Sequence, residues 1–297
     1  MNIHTLDLNF LNMPHAIASY LIEGSEGPVL VESGPSSTLD TLKTRLAEHG
    51  LTPGDIRHVL LTHIHLDHAG AAGWWASRGA HIYVHHVGAP HLIDPSKLVN
   101  SAKRIYGEMM DYLWGEVLPV PADQITALND GDTVTANGLT FTALDTPGHA
   151  RHHHTYRLGD IAFTGDAAGI RLPGRSLVFL PSPPPEFDRE AWRATIDRLQ
   201  AENFRTIYPT HFGSVENPRE HFETLKDLLE QSADFVGDRM KMGMERDVIV
   251  KEYSAWNRRR ADALDISDDD YLQYESTNPQ FMSVDGLMRY WKKKWEA

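Results

Sequence analysis

The sequence predicts an α/β protein in which two β-sheets pack face to face, with helices outside them and a mainly helical tail. Two blocks of the chain alternate strand-like and helix-like segments, and strand signals end near Ser214. The 297 residues, 41% of them hydrophobic, are enough to bury a large core. We expect one main domain over residues 1–235 and a helical C-terminal extension over residues 236–297.

The first block predicts short strands separated by helices. Its strand-like runs are rich in β-branched and aromatic residues and are bounded by Gly and Pro. Its first helix has leucines at helical spacing and a glycine after its last turn. In order, the segments are the strands "AIASYLIEG" and "PVLVESG", the helix "SSTLDTLKTRLAEHG", the strand "DIRHVLLTH", the helix "AGAAGWWASRG" and the strand "AHIYVHH".

The second block follows a helical and loop region at residues 86–122. It predicts strands in "DTVTANGLTFTALDTPGH", "HTYRLGDIAFTGD" and "FRTIYPTHFG", with the helix "DREAWRATIDRLQAEN" before the last of them. Between them, the proline-rich stretch "FLPSPPPEFD" predicts an extended, semi-rigid loop. This loop is either a simple connector or a wall at the mouth of an active site.

Composition and charge restrict the function. The chain has 28 Lys and Arg residues against 41 Asp and Glu residues, a formal net charge of -13, which disfavours nucleic acid as the main substrate. It has no cysteine, so a thiolate nucleophile, a disulfide and a Cys-bound metal are all excluded. The first residues show no signal-peptide pattern, and no run reaches membrane-spanning length. We therefore expect a cytoplasmic protein that acts on a small molecule and not on a membrane.

The stretch "LLTHIHLDHAG" concentrates potential metal ligands directly after an apolar strand. Residues two apart in extended backbone project to the same side, so His63 and His65 can reach one ion together. Asp67 and His68 follow on a turn and can face a second position nearby. A histidine-rich surface turn is the alternative, and this segment alone does not decide between the two.

Three later strand-like runs each end in a further potential ligand. These are His149 in "LDTPGHA", Asp166 in "AFTGDAAG" and His211 in "IYPTHFG". Imidazole and carboxylate ligands without sulfur suit zinc, with iron or manganese as alternatives. Together with the first motif they predict two divalent cation sites built from seven side chains: His63, His65, Asp67, His68, His149, Asp166 and His211.

The combined pattern "THIHLDHAG", "TPGHARHHHTY", "TGDAAG" and "PTHFG" resembles the metallo-β-lactamase superfamily over about residues 1–235. This resemblance implies a four-layer αββα sandwich with the metals at the strand ends. It also implies a distribution of ligands between the two ions. His63, His65 and His149 would hold the first ion, and Asp67, His68 and His211 the second, with Asp166 bridging them.

The chain departs from the superfamily pattern at two places. "VESG" stands where "IDTG" is common, so Glu32 replaces an aspartate beyond the metal ligands. "TPGHARHH" places His152 at a usual glycine and aligns His153 with the second histidine of the motif. We expect His153 to support the ligands or contact substrate, and His152 and His154 to be exposed strand residues.

The resemblance implies hydrolysis by a hydroxide that bridges two metal ions and attacks a carbonyl or phosphoryl centre. Asp67 or Asp166 would carry a proton to the leaving group. The all-His and Asp ligand set is similar to that of the glyoxalase II-like and lactonase-like branch. It favours cleavage of a small ester, thioester or lactone. Two alternatives stay open: an enzyme similar to mononuclear iron persulfide dioxygenases, and a non-catalytic binding protein.

The C-terminal extension offers weaker signals. Arg258, Arg259 and Arg260 are adjacent on a predicted helix and point in different directions, which favours solvated side chains over a carboxylate-binding site. Tyr290, Trp291 and Trp295 predict an apolar helix face that packs on the main domain, with a homodimer contact or an active-site cap as alternatives. Near the metal motif, we expect one of Trp74 and Trp75 to pack the helix and the other to border the pocket.

Overall fold

The structure, a computed structural model, describes residues 2–296 and contains two six-stranded sheets. The first sheet follows chain order, and the second runs in the order β12-β11-β10-β9-β8-β7. The strands are β1 Ile3–Asp7, β2 Ala18–Gly24, β3 Gly27–Val31, β4 His58–Leu60, β5 His81–His85, β6 Ile125–Leu128, β7 Thr133–Ala136, β8 Leu139–Asp145, β9 His154–Leu158, β10 Ile161–Phe163, β11 Thr206–Tyr208 and β12 Val215–Glu216.

Helices cover the outer face of each sheet. The first sheet carries α1 to α6, and α7 and the C-terminal helices pack on the second. They are α1 Leu39–Glu48, α2 Leu66–Ala69, α3 Ala72–Ala76, α4 Ala89–Ile93, α5 Ser96–Tyr106, α6 Met110–Trp114, α7 Arg189–Ala201, α8 Arg219–Lys241, α9 Arg246–Asp262, α10 Asp268–Thr277 and α11 Gln280–Glu296.

The two sheets enclose an apolar core. Tyr20, Val31 and Leu60 of the first sheet face Tyr156 and Phe163 of the second, and all five side chains are buried. Burying large side chains of this kind is the main stabilising contribution of such a layer. The predicted αββα order of layers is therefore confirmed.

Strand direction brings the loops of interest to one edge. Strands β3 to β6 pair in parallel, and β10 pairs with β11 in parallel, so their carboxyl ends lie on the same side of each sheet. Loops that leave the carboxyl ends of parallel strands are the usual position of binding sites in α/β sheets. The segments that contain Glu32, His63, Asp166 and His211 all leave such ends.

Some elements differ from the expectation. Strands β1, β6 and the two-residue β12 carry weak patterns and are absent from the predicted set; β12 also lies beyond the point where strand signals end. Helix α8 runs continuously from Arg219 to Lys241, so it passes through residue 235, where we expected the main domain to end. The extension therefore continues a helix of the main domain.

The aromatic side chains of the last helix mostly pack inward, as expected. Tyr290 is buried and its hydroxyl donates to Glu190 of α7. The indole of Trp291 donates to the carbonyl of Ala233 in α8, whereas Trp295 is 47% exposed. Packing of α11 on the main domain is thus confirmed for two of the three aromatic residues.

The tryptophans of α3 and an arginine of α9 lie away from the pocket. Trp75 is fully buried, but Trp74 lies against Arg78, whose guanidinium is 3.5 Å from its ring centroid, and it does not line the pocket. The prediction that one of these tryptophans borders the pocket is therefore wrong, because the ring of Trp74 lies against the basic side chains of Lys43 and Arg78. Arg258 pairs with Asp262 instead of reaching the pocket.

Candidate metal centre

Seven histidine and aspartate side chains converge at the shared edge of the two sheets. Four come from the loop and short helix after β4, and the other three follow β8, β10 and β11. Their ligand atoms fall into overlapping groups whose members all lie within 4.8 Å of one another. These are the seven residues that the sequence singled out: His63, His65, Asp67, His68, His149, Asp166 and His211.

The first group is formed by three histidine nitrogens. His65 Nδ1 lies 3.0 Å from His63 Nε2 and 2.9 Å from His149 Nε2. His149 reaches the group from the opposite sheet, after β8. Three imidazole nitrogens directed at one point are the arrangement that a zinc ion with nitrogen ligands requires.

The second group combines an aspartate with two histidines. Asp67 Oδ2 lies 3.3 Å from His68 Nε2 and 3.3 Å from His211 Nε2. Asp67 and His68 are consecutive residues on the single turn of helix α2, which begins at Leu66. His211 comes from the loop after β11.

Asp166 lies between the two groups. Its Oδ2 atom is 3.3 Å from His149 Nε2 of the first group. Its Oδ1 atom is 3.3 Å from His68 Nε2 and 3.4 Å from His211 Nε2 of the second group. The carboxylate thus directs one oxygen to each group, which is the position of a bridging ligand.

The outer ring nitrogens of four of these histidines are held by the protein. His63 Nδ1 donates to Thr62 Oγ1 at 3.1 Å, and His68 Nδ1 donates to Glu32 Oε1 at 3.1 Å. His149 Nδ1 donates to the Pro181 carbonyl at 2.7 Å, and His211 Nδ1 to that of Ala16 at 2.6 Å. Bonds of this kind fix the ring orientation and direct Nε2 toward the centre.

Two buried atoms at the centre lack a hydrogen-bond partner among residues 2–296. They are His68 Nε2 and Asp166 Oδ1, which lie 3.3 Å apart but form no hydrogen bond with each other. Leaving a buried polar atom unpaired costs about 1–3 kcal/mol, so such atoms call for a ligand. Nitrogen and oxygen donors without sulfur match zinc and similar divalent cations, and these residues therefore fit metal ions.

Glu32 supports the second group from beneath. It is fully buried, and its Oε1 accepts hydrogen bonds from Thr62 Oγ1, His68 Nδ1 and Thr210 Oγ1. Its backbone has φ +67°, a left-handed conformation that is uncommon for a residue with a side chain. Glu32 therefore joins the loops after β3, β4 and β11 through one carboxylate.

His153 supports Asp166 in a similar way. Its Nε2 accepts the backbone N–H of Asp166 at 3.1 Å, and its Nδ1 bonds Thr146 Oγ1 at 2.8 Å. Gly165 makes this approach possible, because a Cβ at that position would lie 2.7 Å from His153 Nε2, and its φ is +50°. The interpretation of His153 as a residue that supports the ligands agrees with these contacts.

Burial and neighbouring charges shift the histidine pKa values of the two groups in opposite directions. Burial lowers the pKa of His63 well below its usual value and lowers that of His65 to about 3. Burial also opposes the charge on His68, but the nearby carboxylates of Asp67 and Asp166 outweigh it and raise the pKa of His68. The first group is therefore neutral, and the second contains positive charge that balances two carboxylates.

The two carboxylates respond in the opposite sense. Burial would raise the pKa of Asp67 and of Asp166, but His68 and the other neighbouring histidines hold both values well below the usual range. Both side chains are thus ionised at neutral pH. In the metal-free protein the protonated histidines balance these carboxylates, and a divalent cation could take over this role when the histidines bind it in their neutral form.

His152 and His154 contradict their prediction as exposed strand residues. His152 is buried in the loop before β9 and lies 3.2 Å from Glu186 of the proline-rich loop. His154 is fully buried because its side chain points between the two sheets, beside His85 of β5. Sequence reasoning missed His154 because it treated one face of the strand as exposed, and it missed His152 because the proline-rich loop that covers it is distant in sequence.

A cavity of about 430 Å³ opens over the candidate metal centre. Five of the seven converging residues line it, together with apolar side chains of the N-terminal loop, α5, α6 and the C-terminal extension. Pro181, Pro183, Pro184 and Pro185 also line it. The proline-rich stretch is therefore a wall of the cavity, as one of the two interpretations predicted.

Comparison with known proteins agrees with this geometry. A family model described as the metallo-beta-lactamase superfamily matches residues 13–211, about two thirds of the chain. The chain belongs to the metallo-beta-lactamase superfamily. The matched range contains all seven converging residues, from the first histidine motif to His211.

Individual members of the superfamily are distant relatives. A metallo-beta-lactamase fold-containing protein of Sulfurisphaera tokodaii, ST1585, is 24% identical over 231 residues, which cover 76% of this chain and 84% of the relative. An atrochrysone carboxyl ACP thioesterase of Aspergillus fumigatus is 27% identical over 204 residues, 67% of this chain and 51% of that protein. This chain therefore spans about half the length of the thioesterase.

The extension is also found in a solved structure. The metallo-beta-lactamase family protein TTHA1429 of Thermus thermophilus superposes with a TM-score of 0.67 at 21% identity, covering 99% of this chain and 94% of that one. The shared fold thus includes the C-terminal helices. Among residues 2–296, no helix is both long enough and apolar enough to cross a membrane.

Proposed function

We propose that this protein is a metal-dependent hydrolase that uses two divalent cations to cleave a small ester, thioester or lactone. The position of Asp166 carries the proposal, because its two oxygens face two different histidine groups at 3.3 Å. A carboxylate with one oxygen toward each group could bind two ions at once, whereas a mononuclear site would use only one of these oxygens. Membership of the metallo-beta-lactamase superfamily supports metal-dependent hydrolysis in general.

The side chains would divide between the two ions as follows. His63, His65 and His149 would hold the first, through the three nitrogens that converge within the first group. Asp166 would bind both. Zinc suits this donor set best, and iron and manganese are the alternatives. The second ion would be held by the remaining members of the set: Asp67, His68 and His211.

The chemistry combines the cations with groups of the chain. Paired divalent cations, when bound, provide a nucleophile from water at neutral pH and polarise a carbonyl oxygen. Asp67 has a side chain that is 22% exposed and lines the cavity, whereas Asp166 is only 5% exposed. Asp67 is therefore better placed to carry a proton to a departing alcohol or thiol. Glu32 and His153 keep the ligands oriented during the reaction.

The substrate class is supported by ligand chemistry and by relatives. The set of histidines and aspartates without cysteine is similar to that of the glyoxalase II-like and lactonase-like members of the superfamily. A relative from Aspergillus fumigatus carries the name of a thioesterase, although this chain covers only half of it. Both observations favour carboxylic ester-type bonds over phosphate esters.

The test combines metal analysis with a substrate panel. We expect purified protein reconstituted with zinc to bind two equivalents and to cleave at least one of 4-nitrophenyl acetate, an acyl thioester and a lactone. Chelation should abolish the activity, and added zinc should restore it. A zinc-loaded protein with two ions and no activity toward any of the three classes would contradict the proposal. A single iron with oxygen consumption on persulfides would indicate the oxygenase alternative.

A further inference from the structure

We propose that the cavity over the candidate metal centre binds an apolar chain, so that the preferred substrate is an ester, thioester or lactone with a long hydrocarbon part. This inference rests on the hydrolase function proposed above and specifies its substrate. It derives from the walls of the cavity, and the experiment below measures binding separately from catalysis.

The walls of the cavity beyond the metal ligands are predominantly apolar. Helix α5 contributes Leu98, Ala102 and Ile105, and α6 contributes Leu113 and Trp114. Ala102 and Trp114 are at least nine-tenths buried, so the apolar surface continues inward from the mouth. Hydrocarbon that enters such a cavity leaves water and gains affinity in proportion to the apolar area that is buried.

Charged groups are few and lie at defined positions. Outside the candidate metal centre, the charged side chains among the described lining residues are Lys97 and Glu186. Lys97 is exposed, and the side chain of Glu186 is 28% exposed and lies 3.2 Å from His152 Nε2. Neither provides a buried charge that would bind a charged group deep in the cavity. The lining therefore selects for a neutral apolar chain over a charged one.

The C-terminal extension completes the cavity. Pro279 and Met282 line it, and the hydroxyl of Tyr106 on α5 lies 3.9 Å from Met282 Sδ. Gly286, on α11 like Met282, packs so closely on the proline-rich loop that a Cβ there would lie 1.9 Å from the Ser182 carbonyl oxygen. Helix α11 is thus held against the proline-rich wall, which gives the extension a role in substrate selection.

The experiment measures how catalysis depends on chain length on each side of the scissile bond. One arm compares 4-nitrophenyl acetate, hexanoate and decanoate, and the other compares ethyl, hexyl and decyl acetate. We expect kcat/KM to increase in one arm by up to about fourfold for each added methylene until the cavity is filled. The arm that responds identifies the side of the bond that carries the chain. Flat profiles in both arms would overturn the inference.

Binding without turnover provides the second readout. We expect calorimetry with zinc-loaded and chelator-treated protein to show decanoate binding more tightly than hexanoate, and acetate not binding detectably. If decanoate binds but no ester is cleaved, the hydrolase function fails and the apolar site stands. If short esters are cleaved but decanoate neither binds nor reacts faster, the apolar site fails and the hydrolase stands.

Two substitutions from opposite walls test the assignment. Leu98→Glu and Met282→Glu each place a charge in the apolar lining at a half-buried position, which disfavours a hydrocarbon neighbour. We expect each to lower the preference for decanoate over acetate by about tenfold or more, with thermal melting used to confirm folding. The matched control Asn100→Glu, an exposed position on α5 outside the cavity, should leave the preference unchanged. If both variants fold and keep the preference for decanoate, the hydrocarbon chain does not bind against Leu98 or Met282.

Discussion

His65 Nδ1 lies 2.9 Å from His149 Nε2, although 84 residues separate the two histidines in the chain. Each belongs to a loop at the edge of a different sheet, so their approach depends on the packing of one sheet on the other. Burial keeps His63 and His149 neutral, and each donates from Nδ1 to the protein, so their Nε2 atoms both present a lone pair to His65 Nδ1, which can donate to only one of them. Nitrogen lone pairs that converge in this way suit a shared cation.

Replacement of Asp166 by asparagine should remove one of the two expected metal ions. The amide keeps the size of the side chain but loses the charge that would bridge the two groups. We expect elemental analysis to fall from two equivalents toward one and ester hydrolysis to fall by about a hundredfold or more. Asp160→Asn, at an exposed position, is the control and should behave like the unchanged protein. Full metal content in Asp166→Asn would argue against the bridging role.

Replacement of Asp67 by alanine tests the proton-carrying role together with the second ion. We expect loss of hydrolysis with the fold intact, measured by kcat and by circular dichroism. A matched variant, Asp111→Ala on the exposed side of α6, should retain activity. Activity that persists in Asp67→Ala would show that neither the second ion nor this carboxylate takes part in the reaction.

Replacement of Glu32 by glutamine should weaken metal binding without touching a metal ligand. Glu32 accepts the Nδ1–H of His68, and the loss of such a partner typically lowers metal affinity or activity by about 10–100-fold. Competition with a chromophoric chelator measures the zinc affinity directly. Glu26→Gln, on the exposed turn between β2 and β3, is the matched control. An unchanged affinity in Glu32→Gln would show that the ring of His68 is held by other contacts.

Replacement of His154 by leucine should make the protein less sensitive to acid. Burial lowers the pKa of His154 to about 3, against about 6.5 in an unfolded chain. The unfolded chain therefore binds more protons between these values, and the folded state loses stability as the pH falls from 6.5 toward 3.

The loss of stability caused by His154 in acid is large enough to measure by unfolding. The contribution of His154 is about 1.4 kcal/mol for each pH unit below 6.5, so urea unfolding at pH 5.5 and pH 7.5 should differ less for His154→Leu than for the unchanged protein. Leucine also removes two buried ring nitrogens that lack partners among residues 2–296. His49→Leu, at an exposed position, should leave the pH dependence unaltered. If the stability of His154→Leu depended on pH as strongly as that of the unchanged protein, His154 would not be a source of the acid sensitivity.

Metal binding should stabilise the folded protein. A ligand that binds only the folded state stabilises it by about 4 kcal/mol when its concentration is a thousandfold above its Kd. We therefore expect the Tm of chelator-treated protein to rise on addition of zinc, and to rise less in His211→Ala, which would lack a ligand to the second ion. Equal increases in both proteins would argue that His211 does not bind metal.

Much of the candidate site could be predicted from local sequence. The H-x-H-x-D-H spacing places four potential ligands in one short segment, the loop after β4 and the single turn of α2, so their proximity follows from the sequence alone. Each later ligand follows an apolar strand-like run, and the structure places His149, Asp166 and His211 at the corresponding strand ends.

Other features could not be predicted in this way. His154 looked like an exposed strand residue, because period-two patterns do not show whether the second face of a strand is covered by another sheet. The weak strands β1 and β6 form because neighbours provide their hydrogen-bond partners and not because of strong intrinsic propensity. In the same way, no local signal placed Met282 of the extension opposite Tyr106 of α5.

The sequence by itself determined the layered α/β fold, the chemical nature of the ligands and the exclusion of cysteine chemistry, because these follow from periodicity, spacing and composition. The division of the ligands into two groups followed only from the family resemblance, and the tertiary structure supplied its geometry, with one oxygen of Asp166 facing each group. It also decided that the apolar cavity is closed by the C-terminal helices. The reason is physical: distances between loops of separate sheets depend on how the sheets pack, and that packing is a property of the whole buried core.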